Sequence, residues 1–239
     1  MAQNFGPISY AAPSTSGLIL HVDASNSSSY SGTGTTWTDL SGSGNNMTIA
    51  GAPTYTLSSG LGYFTFPGSE ITKYMILNPF AHPTNTSTIT AWARFDSTYA
   101  NSGATLFSYE VTGAANNHLL FNPSNITVFA GSISPGIATV VNVKNSTWTH
   151  LAVTSNRTTG YETLYVNGAL TAVAVASVGT NFTTAGSLVL GQEQDSQGGG
   201  FDPGQSFKGD ISSFKVFNRV LSDREVAADY LYNKARFGL

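Results

Sequence analysis

Oxygen-bearing side chains crowd into one stretch of this 239-residue chain. Positions 193 to 210 carry Glu193, Asp195, Asp202 and Asp210, four of the 13 acidic residues, together with Gln194 and Gln205. An even spread would place about one carboxylate there, and crowding more costs repulsion unless a cation offsets it. Glu193 and Asp195 are two positions apart, so in extended backbone they share a face, with the Gln194 main-chain carbonyl between them. Gly198-Gly199-Gly200 lets the backbone turn without Cβ clashes, and Asp202 and Gln205 return oxygens to the same place. Such an oxygen-only set suits a hard cation such as calcium, which takes six to eight oxygen ligands at about 2.3–2.6 Å. A solvated acidic turn is the competing reading.

Other residues are weaker candidates. Asp39, followed by Asn45 and Asn46 across a Ser/Gly-rich stretch, either wraps an ion or forms an Asx-type turn. The four histidines, His21, His82, His118 and His150, are dispersed and lack metal-ligand spacing; His150, ahead of an apolar strand, reads as a satisfied core residue. Trp92 and Trp148 lie inside alternating segments and read as core, whereas Trp37, in a polar loop, reads as exposed and able to stack on a sugar. No Gly-x-Ser-x-Gly elbow and no P-loop occur. Asn-x-Ser/Thr sequons, beginning at Asn26, Asn46 and Asn85 among others, are expected by chance in so Asn/Ser/Thr-rich a chain.

The elements that position these groups are short strands. Apolar residues alternate in brief runs separated by Gly, Asn, Ser and Pro, the pattern of antiparallel sheet. The predicted strands are Leu18–Val22, Tyr63–Phe66, Tyr74–Leu77, Thr88–Phe95, Ala104–Glu110, His118–Phe121, Asn125–Phe129, Trp148–Asn156, Glu162–Val166, Ala169–Ala174, Ser187–Gly191 and Phe207–Phe217. Asn167-Gly168 is a two-residue hairpin signal. Only the end reads as helix: Ser222 with Glu225 three residues later is a capping box, and Val226, Ala227, Tyr230 and Leu231 supply its apolar face.

Composition sets the outer bounds. The chain has no cysteine, so disulfides and Cys-based zinc sites are excluded. Charged residues make up 10% of it and the net charge is −3, which leaves no basic stripe for a phosphate backbone, so nucleic acid is not an expected partner. A hydrophobic content of 41% at this low charge argues for a folded core. The first 16 residues show neither a positive n-region nor an apolar h-region, so no secretory signal is read, and no apolar run is long enough to cross a membrane. With no fixed-period repeat and no linker, the expected organisation is an arm over residues 1–16 and one domain over 17–239.

Several segments resemble a known family. Gly17–Asp23 and Trp37–Asn46 resemble the opening of laminin-G-like jelly rolls found in phage structural and microbial surface proteins. Leu188–Ser206 resembles the calcium loop of the pentraxins, the C-reactive-protein and serum-amyloid-P group, and Gly209–Ile211 and Arg219–Ser222 continue the likeness. Leu106–Tyr109, Asn116-Asn117 and Trp148–Ala152 stand where that family would have them. Three positions depart from it: Ala152 replaces a cysteine, Ser155 a tryptophan, and Asn116 an aspartate ligand.

The resemblance implies an all-β, concanavalin-A-like antiparallel jelly-roll sandwich with a short C-terminal helix. It also implies one or two calcium ions. Asn116, Asn117, Glu193, the Gln194 carbonyl and Asp195 would hold the first; Glu193, Asp195, Asp202 and Gln205 would hold the second, more labile one. The family's aromatic wall for phosphocholine aligns near Asn122, so that ligand is not expected. Laminarinase-type relatives of the fold use Glu-x-Asp-x-x-Glu, but here the run from Glu193 ends in Gly198. Retaining hydrolysis needs two carboxyl groups about 5–5.5 Å apart, so no enzyme activity is expected. The expected function is a calcium-dependent, lectin-like adhesin on a virion or extracellular surface, recognising carbohydrate and working as a homo-oligomer. The alternative is a virion decoration, head-fibre or tail component contacting capsid or tail proteins, in which calcium is only structural.

Overall fold

Where apolar and polar residues alternate, extended backbone turns one set inward, and two such sheets can bury their apolar faces against each other. The computed structural model shows this arrangement; it describes residues 12–130, 133–175 and 178–239, without the side chains of 114–117 and 133–135. The strands in chain order are β1 (Leu18–Asp23), β2 (Thr36–Trp37), β3 (Met47–Ala50), β4 (Thr54–Ser58), β5 (Leu61–Pro67), β6 (Tyr74–Phe80), β7 (Thr86–Phe95) and β8 (Thr105–Val111). There follow β9 (Ala114–Phe121), β10 (Thr127–Ala130), β11 (Ile133–Ala138), β12 (Trp148–Asn156), β13 (Tyr161–Val166), β14 (Ala169–Val175), β15 (Gly186–Leu190) and β16 (Lys208–Phe217). Helix α1 (Asp223–Asn233) and a 3-10 turn (Lys234–Phe237) close the chain.

Two eight-stranded sheets result. The first runs β14-β13-β12-β7-β16-β5-β4, with β1 also paired to β16; the second runs β11-β10-β9-β8-β15-β6-β3-β2. The described pairings are antiparallel. Inward residues of both sheets, among them Phe64, Phe66, Ile89, Phe107, Leu120, Leu188, Leu190, Ile211 and Phe214, form one buried cluster. The jelly-roll sandwich expected from the sequence is the observed fold.

Each predicted strand is present. The prediction missed β2, β3, β4 and β11, which are two to six residues long, too short or too polar to register as alternation. Asn167 and Gly168 both take positive φ, 51° and 75°, as the two-residue hairpin requires. A side chain at Gly168 would also meet Tyr230 of α1 at 2.9 Å.

Two expectations need correction. Trp37 is fully buried, its ring 5.0 Å from Phe64, because the loop preceding it folds back as β2 over the core edge. The buried face of α1 is Val226 and Asp229, while Ala227, Tyr230 and Leu231 are half-buried. The capping box at Ser222 and Glu225 is formed. Asp229 lies against the first sheet, bonded to Lys215 Nζ, to His150 Nε2 at 3.3 Å and to Thr90 Oγ1 at 3.1 Å. Ion pairing with Lys215 and the His150 bond outweigh burial and hold its carboxyl far below the usual range. His150 is thus a core residue, bonded through one ring nitrogen.

Of the arm, residues 1–11 lie outside those described. Arg219 reaches its remainder, donating from Nε to the Ser16 carbonyl at 2.7 Å and from Nη2 to Ser14 Oγ at 2.9 Å.

Candidate metal centre

Strand β15 is buried along its whole length, so the chain leaves it deep in the sandwich. Gly191 turns the exit with φ 91°, where a Cβ would strike the Phe66 ring at 2.8 Å. Gln192, Glu193 and Gln194 therefore remain buried although they are polar. The Gln194 side chain is consumed there: its Oε1 accepts from Ser187 Oγ and the Gly198 N–H, and its Nε2 donates to Ser108 O, Ser108 Oγ and Ser187 O. Only its main-chain carbonyl is left to meet an ion.

Glu193 is 4% exposed, and its Oε2 has no hydrogen-bond partner among the described residues. Burial, reinforced by the charges of Asp195 and Asp202 and opposed by a Gln194 backbone bond, pushes its carboxyl up to about 7. A buried acceptor without a donor is costly, and a cation is the partner that such an acceptor lacks. Beyond it, paired backbone bonds between Ser196 and Gly199 close a tight turn. A Cβ at Gly200 would come within 2.8 Å of Asp195 Cβ, so glycine lets the chain fold back over that carboxylate.

Glu193, Asp195 and Gln205 line one recess of about 110 Å³ with Leu119, Phe121 and Phe129. Asp202 is close enough for its charge to act on Glu193, but its Oδ1 accepts the Gly204 N–H at 2.7 Å and it stands outside the recess. Asn116 and Asn117 lie on β9, whose neighbouring residues form the recess wall; their side chains fall outside those described. Among the described residues no three His, Cys, Asp or Glu side chains form a ready metal cage. A calcium ion here would complete its shell with amide, main-chain and ligand oxygens. The carboxylate and amide oxygens and the orphaned Glu193 oxygen fit a hard cation.

Asp210 must be removed from the predicted cluster. It sits on β16, where Thr65 Oγ1 donates to its Oδ1 at 2.6 Å and Arg94 Nε to its Oδ2 at 2.7 Å. Asp39 forms the turn and not an ion site: its oxygens accept from the His21, Ser41 and Asn45 N–H groups and from Ser41 Oγ. Burial raises its pKa, but these bonds more than reverse that. Two of the histidines read as dispersed do meet, His82 Nε2 and His118 Nδ1 being 3.1 Å apart in the interior.

The recess wall was missed. Leu120 and Val128 point into the core, so Leu119, Phe121 and Phe129 face outward on β9 and β10, with the two phenyl rings 5.4 Å apart. The period-2 alternation of 118–121 and 126–130 carried that signal. Asn122, near which the resemblance aligns the aromatic wall, caps its own loop by accepting the Asn125 N–H.

The Pentaxin family model matches residues 62–237. The chain belongs to the pentraxin family. It is 32% identical over 171 residues to C-reactive protein of Rattus norvegicus, covering 70% of this chain and 72% of that one. It is 33% identical over 162 residues to the Sushi, von Willebrand factor type A, EGF and pentraxin domain-containing protein 1 of the same species, spanning 67% of this chain and only 4% of that protein. A native heptameric SAP-like pentraxin from Limulus polyphemus superposes with a TM-score of 0.56 at 21% identity, over 69% of this chain and 79% of the other. Domain 4 of AbnA, an arabinanase from Geobacillus stearothermophilus seen with arabinotriose, shares the fold with a TM-score of 0.63 at 18% identity, over 93% and 99%. Pentraxins are calcium-dependent, lectin-like ligand-binding proteins without enzymatic activity.

Proposed function

We propose that this pentraxin is a calcium-dependent binding module for carbohydrate. Glu193 carries the reading: it lines a recess with Asp195 and Gln205, and its buried Oε2 has no hydrogen-bond partner among the described residues. Calcium held by Glu193, Asp195, the Gln194 carbonyl and Gln205, with Asn116, Asn117 and Asp202 contributing from the flanks, would offer open coordination positions to a pair of sugar hydroxyls. The Phe121 and Phe129 rings beside it suit the apolar face of a sugar ring. A recess of about 110 Å³ takes the edge of one sugar, not a buried oligosaccharide. Each site is then weak, and affinity comes from several copies acting together in a homo-oligomer.

Binding without turnover is part of the reading, since Gly198 stands where a hydrolase would place its second carboxylate. We place the module at an extracellular or virion surface of microbial or phage origin, as one domain following an arm. The laminin-G-like opening and the cysteine-free composition support this. The test is retention on a glycan array in calcium and in EDTA, for wild type and Asp195→Asn. Glycans retained only in calcium and lost in the variant are the expected result. No glycan retained in calcium, with calcium still raising Tm, would reduce the ion to a stiffener of loop 193–205 in a structural protein.

A further inference from the structure

The outer face of the first sheet is only partly roofed by α1 and the 3-10 turn. Phe237 stacks on Trp92 with ring centroids 3.9 Å apart, and the cover stops there. The next rung of the sheet crosses four strands. Asp210 on β16 is directly opposite Thr65 on β5 and Arg94 on β7, and Arg94 is opposite Trp148 on β12. Beside this rung an open groove of about 300 Å³ is bounded by Thr65, Pro67, Arg94, Asp96, Lys208 and Asp210. That volume reaches the range of small-molecule sites.

The groove carries charges of both signs and is internally neutral. Its two cations and two carboxylates are already paired, Arg94 with Asp210 at 2.7 Å and Lys208 with Asp96 at 3.3 Å. Both members of the Lys208 pair and Arg94 remain about a third exposed, so their heads are open to a ligand. Arg94 is fixed in place. Its guanidinium lies 5.1 Å from the Trp148 ring and 5.5 Å from the Tyr63 ring, while Nε is held by Asp210. Nη1 and Nη2 have no acceptor among the described residues. Each bonded carboxylate oxygen keeps a further lone pair.

Charge decides the class of ligand. An anion on the open Arg94 Nη groups would lie against the Asp210 and Asp96 carboxylates, and a cation on those carboxylates would lie against Arg94 and Lys208, so each meets like charge. A neutral polyol meets no such repulsion. One hydroxyl can accept from Arg94 Nη and donate to a carboxylate lone pair, and its ring C–H face can rest on Pro67.

We propose that this groove is a second saccharide site, selective for neutral sugars and independent of calcium. It faces away from the Glu193 recess, which lies on the outer face of the other sheet, so the two sites stand or fall separately. The test is an array of mannose-, glucose-, galactose- and arabinose-terminated glycans with sialylated and sulfated glycans alongside, probed in EDTA. Neutral glycans should be retained in EDTA, unaffected by Asp195→Asn and weakened about tenfold or more by Arg94→Gln. Retention of acidic glycans only, no retention in EDTA, or neutral binding indifferent to Arg94→Gln would overturn the proposal. Should Arg94→Gln fail to fold, the Arg94 Nε–H resonance of the wild-type protein, titrated in EDTA with the best-retained glycan, replaces it. An unmoved resonance would then refute the site.

Discussion

Replacing Glu193 with glutamine should make the calcium-free protein more stable, not less. The carboxyl pKa rises from 4.5 to about 7 on folding, so the folded state resists ionisation. An acid with a raised folded pKa loses stability as pH climbs from the unfolded value through the folded one, and the loss is complete above about 7. The difference of 2.5 units at 1.36 kcal/mol each gives about 3 kcal/mol at pH 8. The glutamine amide is itself left unpartnered, at about 1 kcal/mol, so the net gain is about 2 kcal/mol. For a domain of this size that is a Tm rise of roughly 4–8 °C in EDTA at pH 8. Near pH 5 the difference should shrink, because the wild-type carboxyl is then protonated.

Calcium should reverse the order. At about 100 times its dissociation constant it adds roughly 2.7 kcal/mol to wild type, while the variant, lacking the charged ligand, gains little. Thermal unfolding of both proteins in EDTA and in calcium, at pH 5 and pH 8, measures these differences. A variant less stable than wild type in EDTA at pH 8 would refute the reasoning, and so would equal calcium increments for the two proteins.

Other consequences follow from the same geometry. Burial lowers His82 to about 4, and its Nδ1 lies 2.8 Å from the Pro83 carbonyl. Stability from this neutral ring is present above pH 6.5 and is lost on acidification toward 4, by about 3 kcal/mol in all. In NMR the His82 ring should stay neutral at pH 5.5, and a titration midpoint near 6.5 would contradict the burial argument. Asp39→Ala should cost about 2 kcal/mol, because four donors lose their acceptor. It should leave the calcium-induced Tm increment unchanged; a lost increment would make that turn an ion site after all. Phe129→Ala should leave the increment intact while weakening calcium-dependent glycan retention about tenfold, and full retention would remove the rings from the binding surface.

The sequence spoke most clearly where one backbone period governs both pattern and structure. Long strands such as β7, β12 and β16 alternate over nine or ten residues and were read correctly. That Glu193, Asp195 and Gln205 share one recess was legible because glycines and carboxylates at fixed spacing leave few conformations. Asp210 misled because nearness in sequence to that loop says nothing about the face of β16 it occupies, and its partner Arg94 is 116 positions away. His82, in the loop after β6, and His118, on β9, meet across 36 positions through a tertiary contact that no spacing rule encodes. Trp37 looked exposed because its neighbours are polar, yet a two-residue strand suffices to carry it into the core.

The positions where this chain departs from its relatives show what takes the place of a crosslink. Ala152, where the resemblance implies a cysteine, lies on the outer face of the first sheet. It is buried with Tyr165, Phe217, Leu221 and Val226 beneath α1. Apolar packing under the helix occupies the place where a disulfide would otherwise constrain the unfolded chain. Ser155, where a tryptophan is implied, leaves room for charge instead of a ring. Its hydroxyl donates to Glu162, which also accepts from Arg157 Nη1 at 2.6 Å, while Arg157 Nε donates to the Thr180 carbonyl at 2.7 Å. Both ionic partners are fully buried. A buried pair of this kind returns little net stability against its desolvation cost, but it penalises every arrangement that separates the partners. The register of β12 against β13 is therefore fixed by Ser155, Arg157 and Glu162, while the outer face of the same sheet is covered at Ala152 by the helix seated on it.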